Sequence, residues 1–205
     1  MNAFNRLFWG SLLVLVDIRL NGFDIVVDLP GYVLILMGCT ALAATSRRFR
    51  AAAFATIPLL LLSVTELLSS HQEVPVAANM AMPLGALNTD PTTAIVFLLV
   101  IVALDLILVY NICIGIAEQV ESDPTIDPRL AKDARTRWIL YASMAGIGTL
   151  MMTILLADPT TSIRGGGDAG GLIALFFTFF VFAIIVIVLF LKLLRRAHHA
   201  LGAPS

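Results

Sequence analysis

Charge is what this chain has least of. Asp, Glu, Lys and Arg make up 13% of its 205 residues, about half the share of an ordinary soluble domain. The deficit is filled by apolar side chains, at 59% of residues and a mean hydropathy of +0.95. A water-soluble core cannot absorb that excess, so the solvent is a bilayer. The formal net charge is −1, which removes the basic surface that a nucleic-acid partner needs.

Cysteine and histidine are also scarce. Cys39 and Cys113 both lie inside apolar runs. Two such residues make no disulfide framework and no zinc spacing; buried free thiols are expected. The three histidines are His71, His198 and His199. No His-Glu-x-x-His or Gly-x-Ser-x-Gly occurs, so the common hydrolytic sites are missing. The adjacent His198 and His199 read as a solvated tail rather than a metal site. The glycine run at 165–171 has no Gly-Lys-Ser/Thr ending, which makes it a tether rather than a phosphate loop. No cofactor is implied. Alternation of period two is absent as well, which leaves helices as the spanning elements.

Six apolar segments are present, at 3–19, 29–45, 51–69, 92–117, 138–157 and 171–194. They make residues 1–205 a single integral membrane domain, an all-α polytopic helix bundle with six transmembrane helices. Arg6 and the first run could pass for a signal peptide, but no small-residue cleavage site follows; a retained first span is expected. Orientation comes from the cations. Of thirteen Lys and Arg, eleven fall on one side: Arg6, Arg47, Arg48, Arg50, Arg129, Lys132, Arg135, Arg137, Lys192, Arg195 and Arg196. Arg19 and Arg164 fall on the other. The positive-inside rule then places both termini in the cytoplasm, in a plasma or inner membrane. The bilayer is one partner. A protein partner or a second copy is a further expectation, because Ala142 and Gly146 form a small-xxx-small pair suited to close helix approach.

The first two segments are short for a roughly 30 Å hydrocarbon core. Between them runs Asp17-Ile18-Arg19-Leu20-Asn21-Gly22-Phe23-Asp24-Ile25-Val26-Val27-Asp28. A charged turn joining two short spans is expected to sit below the outer surface, where irregular backbone survives only against protein or water. Asp17, Asp24 and Asp28 could hold a cation or solute, with Arg19 fixing their geometry. The plainer alternative is a solvated turn tied by ion pairs. Pro58 is expected to kink segment 3, and Glu66 near its outer end is expected to snorkel or to pair with Arg19. The apolar stretch 76–87 is expected to lie on the membrane surface. Asp105 sits near the middle of segment 4, where a lone carboxylate costs roughly 2.5–3.5 kcal/mol to insert. It is expected to be protonated and hydrogen-bonded across a helix interface, or else to serve as a proton or ion relay. Asn111 and Gly115 suit close helix contact. Segment 6 is expected to face lipid, and residues 129–137 to form a short surface helix.

At residues 8–35 the chain resembles an uncharacterised family of small bacterial multi-pass membrane proteins. Their first hairpin reads F-x-G, an apolar run, then D-x-R-I-x-G-F-D-I-L-P-D-x-I-G-Y-x-L-I. The matching residues are Phe8, Gly10, Asp17, Arg19, Asn21, Gly22, Phe23, Asp24, Ile25, Asp28, Gly31, Tyr32 and Ile35. The proline is displaced: Val27 stands where the family has it, and Pro30 precedes Gly31 instead. The resemblance implies a helical multi-span protein and no particular activity.

Three function classes are compatible with these residues. The best supported is a small-solute or ion transporter, or its substrate-binding subunit, using the recessed hairpin. The next is a non-catalytic scaffold or accessory protein that docks through the cytoplasmic connection 118–137. An intramembrane enzyme is third.

Overall fold

The computed structural model describes residues 2–15, 19–20, 23–24, 28–69, 91–157 and 169–201. Six helices carry them: α1 (Ala3–Leu15), α2 (Asp28–Leu42), α3 (Arg47–Ser69), α4 (Pro91–Ser122), α5 (Arg129–Ala157) and α6 (Ala169–Leu201). Between α1 and α2, β1 (Arg19–Leu20) and β2 (Phe23–Asp24) form a two-residue antiparallel pair. The all-α expectation holds. Among the described residues three stretches are long and apolar enough to cross a membrane: Arg47–Thr65, Ile95–Ser122 and Ala174–Leu201. Asp28–Leu42 is apolar but shorter.

Local chemistry sets the helix ends. The Ser46 hydroxyl accepts from the Arg48 amide at 3.1 Å and caps α3. The Asp127 carboxylate accepts from the Arg129 amide at 2.9 Å, with Pro128 between them, and caps α5. No glycine or proline interrupts the chain from Arg129 to Ala145. The separate surface helix expected at 129–137 is therefore absent, and those residues are the first turns of α5. Likewise α4 runs on through Glu118 and Gln119 to Ser122, until Asp123-Pro124 stops it. The connection 118–137 is thus mostly helix. Pro58 lies inside α3, which continues past it.

Each helix packs on its neighbours in sequence, and α6 closes the ring against both α1 and α5. The basic ends meet. Phe4 of α1 packs edge-on against Phe49 of α3 at 6.1 Å. Gln119 of α4 donates to the Thr45 hydroxyl beyond α2 at 2.6 Å. Arg196 of α6 bonds Asp133 of α5 at 2.9 Å. The core is densest at this end, with Phe49, Ile112, Cys113, Ile116, Leu193 and Leu194 almost wholly buried. Both thiols are free and buried. Toward the other end α6 presents Leu175, Phe177, Phe180 and Ile184 outward, a surface suited to lipid.

The tightest packing joins α1 to α2. A Cβ added at Gly10 would lie 2.7 Å from the Gly31 carbonyl oxygen, and one at Gly38 would lie 2.8 Å from Leu7. Only glycine lets these backbones approach so closely. Gly10 and Gly31 belong to the hairpin pattern, so part of that pattern is packing rather than chemistry. A Cβ added at Gly115 would lie 3.0 Å from the Phe49 ring, in line with the close contact expected there. Gly146 has nothing within 4 Å of where a Cβ would be. Among the described residues, the Ala142–Gly146 pair therefore serves no close helix approach at Gly146.

Candidate functional site

Helix lengths decide where the polar residues sit. At 1.5 Å per residue, α1 is about 20 Å long and α2 about 22 Å. Each has one end at the basic side, α1 its first residues and α2 its last, so both reach only part of the length of α4, which is about 48 Å. Leu42 and Gln119 are joined through Thr45, which bonds the Leu42 carbonyl at 2.7 Å and accepts from Gln119. From that level, Asp28 on α2 and Asp105 on α4 each stand about 21 Å along their helices. The first residue of α2 and the mid-helix carboxyl of α4 share a depth.

In the hairpin, Arg19 and Asp24 face one another across the ladder, with Leu20 opposite Phe23. Asp28 is half-buried at the start of α2 and is already engaged within the fold. Asp17, and the surface stretch expected at 76–87, lie outside the described residues. Glu66 belongs to α3; its side chain too lies outside the description.

Asp105 has a definite partner. The Tyr141 hydroxyl of α5 donates to its Oδ2 at 2.5 Å. Tyr141 is only 7% exposed, and its ring packs on Phe190 of α6 at 6.0 Å. Tyr32, one turn into α2, lies within electrostatic range of the Tyr141 phenol. A polar layer about one helical turn thick thus crosses the ring, from Asp28 and Tyr32 on α2 to Tyr141 and Asp105. Tyr141 was not among the residues expected at a site. The signal available was a phenol in an apolar helix, since a buried hydroxyl needs a partner; Asp105 was the carboxyl at the matching depth.

The basic end forms a second polar region. Arg48 Nε donates to Glu118 at 2.9 Å, and its guanidinium lies 5.7 Å from the Tyr110 ring centre. Arg135 pairs with Glu121 at 2.7 Å. Asp133 takes Arg196 at 2.9 Å and Arg137 at 3.7 Å, and Arg137 also donates to the Leu189 carbonyl of α6. In the turn, the Thr125 hydroxyl and then its amide bond Asp123 and hold that carboxyl below the usual range. Among the described residues no three His, Cys, Asp or Glu side chains gather as metal ligands. No family model, no curated protein and no solved structure matches the chain.

Proposed function

We propose that the chain is a six-span inner-membrane protein with both termini cytoplasmic, and that it moves a small cation or solute, or binds one for a transporter. The observation that carries this is the Asp105–Tyr141 hydrogen bond at the depth where α2 begins. A carboxyl and a phenol bonded between two helices can hold, release or relay a proton, or offer oxygen ligands to a hard cation. The acidic hairpin, with Arg19 opposite Asp24, forms the outer approach to that layer in this reading. The test is cation or proton flux in proteoliposomes. Asp105→Asn and Tyr141→Phe should abolish flux while the folded protein is retained. Full flux in both variants would end the proposal. A thermal-shift screen against ions and small solutes would then identify the ligand, seen as a stabilisation that depends on Asp105.

The scaffold reading rests on a different observation. The turn after α4 borders a cavity of about 370 Å³ lined by Asp127, Arg129, Asp133 and Arg196. A partner docked there would be lost on changing Arg129 and Asp127, with flux unaffected. An intramembrane enzyme is the third reading. It would show turnover that disappears with a single carboxylate.

A further inference from the structure

We infer that the cleft between α3 and α4 at the basic end is a binding site for the phosphate headgroup of an anionic phospholipid. The inference is independent of the transport reading and requires only that the chain sits in a membrane. The cleft has a volume of about 500 Å³ and is lined by Arg47, Arg48, Ala51, Asn111 and Glu118. Two guanidiniums against one carboxylate leave it with a positive excess. Arg48 is already fixed by Glu118 and lies near the Tyr110 ring. Its guanidinium therefore loses little freedom on meeting a phosphate. Arg47 is exposed and can close from the other side. The Asn111 side chain is buried at 6% exposure, with its amide donating to the Ile107 carbonyl at 2.7 Å.

The surface below the cleft favours a lipid over a free anion. One turn deeper, Phe54 succeeds Ala51 on the α3 stripe, and Ile107 precedes Asn111 on the α4 stripe. Phe54 is 67% exposed and Ile107 48%. The polar cleft thus continues into an open apolar strip directed at the hydrocarbon core. A headgroup between the arginines places its acyl chains along Phe54 and Ile107. Inorganic phosphate could use the first part alone and would gain nothing from the second.

Native mass spectrometry of the full chain in a neutral detergent tests this, with dioleoyl-phosphatidylglycerol, dioleoyl-phosphatidylcholine and inorganic phosphate as probes. Phosphatidylglycerol should bind in preference to phosphatidylcholine. Arg47→Gln should weaken phosphatidylglycerol about fivefold, the effect of one basic residue near an anionic lipid surface. Arg195→Gln, on the exposed face of α6, should leave it unchanged. Inorganic phosphate at millimolar concentration should not displace the lipid. Equal binding of the two lipids overturns the inference. So does an Arg47→Gln protein that binds like wild type, or an equal loss in Arg195→Gln. Full displacement by phosphate would make this a free-anion site and would also overturn it.

Discussion

The Tyr141 hydroxyl donates to Asp105 at 2.5 Å across the α4–α5 interface. Removing the donor leaves a buried carboxyl oxygen without it. Tyr141→Phe should therefore lower stability by about 1–2 kcal/mol, the range for hydrogen bonds between membrane helices. Asp105→Asn keeps an acceptor for the same hydroxyl and should cost less. Asp105→Lys should not accumulate. Unfolding in mixed micelles measures all three. An Asn variant worse than the Phe variant would mean that the carboxylate is ionised and paired.

Glycines in two helices should behave in opposite ways. A methyl at Gly10 would meet the Gly31 carbonyl and the Ile35 amide, at 2.7 and 2.8 Å. Backbone cannot move aside as a side chain can, so Gly10→Ala should cost about 1–3 kcal/mol. Gly146→Ala meets open space and should be neutral or stabilising by up to about 1 kcal/mol. Thermal melting in detergent separates them. Equal effects would contradict the close α1–α2 approach.

The ladder register opposes Arg19 to Asp24. Directly opposed residues are the pairs that couple most in an antiparallel ribbon. A double-mutant cycle of Arg19→Ala with Asp24→Asn should show a larger coupling than cycles with Asp17→Asn or Asp28→Asn. Coupling below about 0.5 kcal/mol in all three would mark an ordinary solvated turn. The hairpin would then drop out of the transport reading.

The eleven cations assigned to one side predict that Ser46 and Thr136 lie on the inside, and Thr89 and Gly166 on the outside. Single cysteines at these positions, in a chain without Cys39 and Cys113, can be labelled with an impermeant maleimide. Labelling of Thr89→Cys and Gly166→Cys on intact cells is the expected result. Labelling of Ser46→Cys or Thr136→Cys from outside would reverse the topology.

Asp123 should respond to pH in a known direction. Its carboxyl is held down chiefly by the Thr125 hydroxyl. A folded-state pKa below the unfolded one contributes stability above the unfolded pKa of about 4, and that contribution is lost as pH falls through the folded value. Thr125→Ala should raise the Asp123 titration midpoint, followed by carboxyl NMR. An unchanged midpoint would contradict the cause given.

Several features were legible in the sequence because they are local. Apolar run length and the placement of Lys and Arg mark helices and their basic ends without knowledge of any neighbour. The shortness of the first two helices was also visible, since Asp17 and Asp28 interrupt the runs. Partners were not legible. Around Asp105, α4 is apolar on nearly every face, so no periodic stripe indicated which side meets α5. Tertiary packing alone chose Tyr141 for Asp105 and Glu118 for Arg48. It also made Gly10 and Gly31 the close contact and left Gly146 facing none. The reason is geometric: a sequence carries the residue types on a helix, whereas rotation and depth relative to the next helix arise only when the whole ring closes.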